Sequence, residues 1–360
     1  MEEKEADEES EASEEGWRNR VDKKIKNGLL VLAAGLLVGY FVVFYFVPGN
    51  KAIPEADKAG TGRETLPEKF KYDMETLKSY DPKQVIYKEE SKFETGLKEP
   101  FGIAIDKNDD TFVVSPQNIL ERDNKGKRDI SALTFKMDGP GSSLAFNSLG
   151  GAFIAGRDKV HIIAKYNTEF GKKGKGDGEF NYISSIKASD KYIYVADAGN
   201  RRVYKFDLQG KYKGQVRSQG KILGKGFIIP SPHMDMDFDS YGNLWVANTG
   251  LLQLEKYSPE GAFLSSWGKH GVNIDEFIGC CNPVNFVIDK EDNFITAEKG
   301  VLRIKKYDKT GKFLGVVAPP GTFNEKNTSI PLAVDSKNRV YALDTFEKVV
   351  RVFVEDKSTK

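Results

Sequence analysis

Apolar residues in this chain come in short runs separated by polar turns, and from about residue 100 onward the runs recur in one order. Tyr192 to Tyr212, YIYVADAGNRRVYKFDLQGKY, sets the form: a short apolar strand, a small or acidic residue, a polar turn, a second apolar strand and a Gly turn. The order returns in LWVANTGLLQLEKYSPEGAF from Leu244, FITAEKGVLRIKKYDKTGKF from Phe294 and VYALDTFEKVVRVF from Val340, with fainter copies at 112–126 and 153–170. Short strands repeating at a near-constant interval predict a propeller.

The spacing supports a count of blades. The residue closing the first strand of each repeat is Asp106, Asn147, Ser189, Asp239, Asp289 and Asp335, at intervals of 41, 42, 50, 50 and 46 residues. The residue closing the second strand is Ser115, Gly156, Asp197, Asn248, Glu298 and Asp344, at intervals of 41, 41, 51, 50 and 46. Two markers that drift together define six repeats, with the longer connections entering the fourth and fifth. The sixth repeat runs out of chain after Val349 to Val354, while QVIYKEESKF at 84–93 has no repeat of its own. Pairing that segment with the last blade would close the ring and hide two sheet edges. The expected fold is therefore an all-β, six-bladed propeller over 84–356, closed by strand 84–93.

Upstream the pattern changes. Residues 28–47 form an uncharged run of twenty, which at 1.5 Å per residue covers the roughly 30 Å core of a bilayer. The run is preceded by 27 residues and exits through FYFVPGNKA at 44–52, which lacks a small-x-small cleavage site, so an uncleaved signal anchor over 28–48 is expected rather than a signal peptide. Arg18, Arg20, Lys23, Lys24 and Lys26 flank its start, which orients the N-terminus to the cytoplasm and the propeller to the periplasm or cell surface. Residues 1–27, acidic and then basic, read as a cytoplasmic tail. Residues 49–83 read as an extracytoplasmic stalk, with a helical turn near 73–79.

Composition narrows the function only a little. The 360 residues are 39% apolar and 30% charged with a net charge of +1, which gives no reason to expect a nucleic-acid partner. No nucleophile with a neighbouring base, phosphate loop or HExxH stands out.

VADAGNRRVYKFD and SWGKHGVNIDEFIGCCNPVNFVID resemble NHL repeats, whose members typically form six-bladed propellers. The resemblance covers about 84–354. GCCNP at Gly279 to Pro283, followed by TAEKGVLRIKKYD, is similar to a group of uncharacterised bacterial NHL-repeat proteins. The resemblance implies a fold more than a function.

Topology assigns faces, because strands a to d of each blade put the d-to-a loops and b-to-c turns on one face. Aligning the inner strands places Pro100, Gly141, Ile183, His233, Pro283 and Ser329 at equivalent starts. Cys280 and Cys281, the only cysteines, then fall beside His233 in one funnel, together with Asn282. Adjacent Cα atoms lie about 3.8 Å apart, below the usual disulfide range of about 4.4 Å upward, so a bond between the two would be strained. His270 and Trp267 lead into the same loop. Asp197, Asn248, Glu298 and Asp344, with Arg201, form an expected polar mouth. Calcium-dependent lactonases on six-bladed propellers gather such groups, so Ca or Zn stays open, although Asp and Asn at this position also cap the turn that follows. No cofactor is otherwise expected, and the histidines do not support a three-His metal site.

The leading expectation is a membrane-tethered binding or scaffold module for a protein or glycan partner, acting through the face that carries Cys280 and Cys281. The alternative is a redox-active or metal-dependent enzyme, of thiol/disulfide, lyase or lactonase type, in the same funnel.

Overall fold

The computed structural model describes residues 74–133, 137, 141–163, 168–216, 218 and 226–359. The expected tail, the membrane anchor at 28–48 and the stalk up to residue 73 lie outside them. Among the described residues no helix is long and apolar enough to cross a membrane.

These residues hold 24 strands in six four-stranded antiparallel sheets, an all-β six-bladed propeller. The inner strands are β2 (Gly102–Ile105), β6 (Ser143–Phe146), β10 (Ile183–Ala188), β14 (Met236–Phe238), β18 (Asn285–Ile288) and β22 (Leu332–Val334). Blades 1 to 5 run outward in chain order. Blade 6 has the order β22, β23 (Val340–Asp344), β24 (Val349–Glu355) and β1 (Tyr87–Glu94). The N-terminal strand thus sits outermost on the C-terminal blade, with Tyr87 opposite Glu355 and Glu94 opposite Val349. Before it, the short helix α1 (Met74–Lys78) packs Leu77 against Ile278 and Val301, and Lys78 pairs with Glu325 at 2.6 Å.

The second strand of a blade is flanked on both faces by neighbouring blades, which explains why β15 (Leu244–Asn248), β19 (Phe294–Glu298) and β23 are buried along their whole length. The recurrent aromatics fill the blade junctions. Between blades 4 and 5, Trp245 meets Phe294 edge-on at 4.8 Å, while Trp267 packs on Phe294 and Tyr307 at 5.0 Å each. Such pairs add about 0.5–1.5 kcal/mol each beyond the area they bury.

On the face of the a-to-b turns, side chains clamp one blade to the next. Ser240 of blade 4 donates its N–H and hydroxyl to Asp292 of blade 5, and Ser336 of blade 6 does the same to Asp109 of blade 1. Asp109 and Asp292 have φ values of 65° and 61°, in the left-handed region that Asp tolerates better than most residues. The same face opens into a cavity of about 520 Å³ walled by Asp106, Asp109, Asp239, Asp289 and Asp335.

Candidate functional site

The opposite face carries the d-to-a loops. Here the second-strand residues do not form a solvent-facing ring. Asp197, Asn248, Glu298 and Asp344 are all 0% exposed and turn inward to hold the loop leading into their own blade. Asp197 accepts from the backbone N–H of Asn181 and Tyr182 at 2.9 Å each. Asn248 accepts from Ile228 N–H at 2.8 Å, and Glu298 from Ile278 N–H at 3.3 Å. Asp344 accepts from the Asn327 amide at 2.9 Å and from Glu347 N–H at 2.8 Å. Buried polar donors need partners, and one carboxylate or amide in each of blades 3 to 6 supplies them. Each of the four is thus engaged with its own blade, and Asp344 keeps one buried carboxylate oxygen, Oδ2, without a hydrogen-bond partner. Among the described residues no three His, Cys, Asp or Glu side chains come together as a metal site.

Around the propeller axis the same face opens into a cavity of about 260 Å³. Four of the aligned inner-strand starts, Pro100, Gly141, His233 and Ser329, line it. Hydroxyls of Ser142, Ser184, Thr328 and Thr345, the Asn285 amide and the rings of Phe101 and Tyr182 complete the wall. His233 brings an imidazole to this wall. Burial, helped by the charge of Lys299, lowers its pKa to about 4, so the imidazole is neutral at pH 7.

Below the mouth, a carboxylate and an ion pair occupy the channel. Asp235 accepts from the Ser185 hydroxyl at 2.6 Å and from Phe286 N–H at 3.1 Å, and burial raises its pKa. Lys187 pairs with Asp237 at 3.1 Å; burial alone would lower its pKa, but Asp237 and Asp235 outweigh it. The sequence alignment of inner strands put no carboxylate at this ring. It missed Asp235 because MDMDFD alternates, and the polar members point into the channel rather than to bulk solvent.

A second, more open cleft of about 570 Å³ adjoins the mouth and shares Tyr182 and Pro232 with it. Arg157, Asn181 and Arg201 line its far side. The Arg157 guanidinium lies 5.6 Å from the centroid of the Tyr182 ring. Arg201 is exposed, with a φ of 56°, and its carbonyl accepts from Phe227 N–H at 3.1 Å.

The cysteine loop lies beside this region instead of within the mouth. Asn282 is buried and braces it: its amide donates to Ile278 O at 2.7 Å and Lys299 O at 3.1 Å, and accepts from Lys299 N–H at 2.9 Å. The Asn282–Pro283 peptide bond is cis. Asn282 therefore acts in loop architecture. Cys280 is exposed and Cys281 is 3% exposed; both are free thiols, with their Sγ atoms 3.2 Å apart. Cys280 is raised above an ordinary thiol, first by its hydrogen bond to Cys281 and then by burial. For Cys281 burial acts upward, but the nearby Lys299, Ser231 and Cys280 groups outweigh it and bring the thiol below the ordinary value. Ser231 precedes Pro232 and His233, and its buried hydroxyl has no hydrogen-bond partner. Lys299 and Ser231 carried no signal in the sequence, because each matters only through folding against Cys281.

The structure does not join the remaining expected residues to this group. His270 is exposed, with its backbone bridged to Phe277. Trp267 is stacked on Phe277 at 5.9 Å and belongs to the blade junction.

Comparison with known proteins supports the architecture. A family described as a 6-bladed beta-propeller matches residues 164–222. No curated protein sequence matches the chain. Among solved structures the chain is similar to a streptogramin B lyase, at 11% identity over 77% of this chain and 100% of that one, with a TM-score of 0.54. It is also similar to a gluconolactonase from Xanthomonas campestris, at 14% identity over 73% of this chain and 88% of that one, with a TM-score of 0.53. Identities this low carry the fold alone.

Proposed function

We propose that the protein is a membrane-tethered, extracytoplasmic propeller that binds a glycan bearing an acidic group on its d-to-a face. The observation that carries this reading is the pair of adjoining cavities that share Tyr182 and Pro232. One is lined by hydroxyls, an amide, a neutral imidazole and two aromatic rings, which suits an uncharged, hydroxyl-rich sugar ring. The other presents Arg157 and Arg201, whose planar guanidinium groups suit a carboxylate, sulfate or phosphate. Anchoring to the membrane rests on the apolar run at 28–47 and its basic flank.

The reading is tested by probing an array of neutral and acidic oligosaccharides with the full-length protein. Acidic glycans are expected to bind, and the R157E/R201E variant is expected to lose about tenfold or more in affinity, equivalent to about 1.4 kcal/mol. Charge reversal at Lys107 and Lys290, on the opposite face, is expected to leave binding unchanged. Retention of every acidic ligand by R157E/R201E, or no binding across the array, contradicts the proposal.

A further inference from the structure

We propose that Cys280 and Cys281 form a dithiol that exchanges with accessible disulfide bonds, Cys280 taking the incoming sulfur and Cys281 releasing it. The proposal stands independently of glycan binding. Three features of the loop assign the two roles. The thiols are in contact at 3.2 Å, one exposed and the other 3% exposed, so only Cys280 meets a bulky substrate. The loop is braced on both sides, by Asn282 to Lys299 and by Ile278 to Glu298, which holds the second thiol beside the first. Lys299, at the turn that Asn282 braces, supplies a positive charge that favours a thiolate at the buried thiol. His233 also faces this charge and is neutral at pH 7.

In the first step Cys280 loses its proton to solvent and its thiolate attacks a disulfide RS–SR. The Cys280–SR bond forms as the S–S bond breaks, and RS⁻ leaves. In the second step Cys281 gives its own proton to the first departing thiolate and attacks Cys280 Sγ. The Cys280–Cys281 bond forms and the second RS⁻ leaves, to be protonated by solvent. Two electrons pass from the protein to the substrate disulfide, and two thiols are released. Because adjacent Cα atoms lie about 3.8 Å apart, the resulting ring is strained and readily opened again by excess thiol. The pair is thereby suited to cycling.

The test uses the reduced full-length protein with oxidised glutathione in one arm and a disulfide-cyclised peptide in the other, followed by intact mass. Wild type is expected to become lighter by two hydrogens and to release two thiols, with no build-up of the mixed disulfide. C281S is expected to stop as a stable adduct on Cys280. C280S is expected to react at least about tenfold more slowly than wild type, because its remaining thiol is buried. As a check that needs no variant, iodoacetamide is expected to label Cys280 of native wild type at least about tenfold faster than Cys281. Accumulation of a wild-type adduct, equal rates for C280S and wild type, equal labelling of both thiols, or no reaction in either arm overturns the proposal.

Discussion

His233 shows how a single side chain ties the mouth to stability. Its pKa is about 4 in the folded protein against 6.5 in the unfolded chain, so the unfolded state binds more protons between those values. The stabilisation from keeping it neutral is present above about pH 6.5 and is lost as the pH falls toward 4. At 1.36 kcal/mol per unit this amounts to at most about 3.4 kcal/mol. Urea unfolding from pH 7 to pH 4 is expected to give a shallower decline for H233Q than for wild type; parallel declines would exclude His233 as the titrating group. The position of His233 was legible in the sequence because the repeat spacing aligns inner-strand starts. Its low pKa was not, since Lys299 lies 66 residues further along the chain and reaches it only in the folded ring.

At the scale of elements, β20 (Arg303–Tyr307) departs most from a simple reading of alternation. RIKKY would ordinarily place one face against a core and the other toward water, yet all five residues are buried, because neighbouring blades cover both faces. Arg303 and Lys305 converge on Glu298, and Lys305 also donates to Glu276 O at 2.7 Å and Ile274 O at 3.0 Å. Burial brings the Lys305 pKa down to about 8 although Glu298 opposes the shift. E298Q would leave two buried cations without their anion and is expected to destabilise the protein by roughly 3–5 kcal/mol in urea unfolding. A loss below about 1 kcal/mol would mean that water or another group neutralises them. The same reasoning explains the second-strand residues: the sequence identified Asp197, Asn248, Glu298 and Asp344 as equivalent, and that equivalence is structural. What could not be read was their direction, which depends on backbone N–H groups of loops that differ in every blade.

For the whole molecule, six blades were legible because two independent markers share one spacing, whereas the functional surface was not, because it is assembled from loops that repeat in position but not in sequence. The ring itself depends on β1, which pairs with β24 from Tyr87–Glu355 to Glu94–Val349. A chain lacking residues 74–94 is expected to expose the β24 edge and to aggregate or unfold at markedly lower urea; an unchanged midpoint would show that closure by this strand contributes little. The face assignment is tested most directly by hydrogen–deuterium exchange of the full-length protein with and without an acidic oligosaccharide selected on the array. Binding at the paired cavities predicts protection at 180–184, 199–201, 230–233 and 328–331. Protection confined to the a-to-b turns at 106–109, 239–242, 289–292 and 335–338 would contradict it.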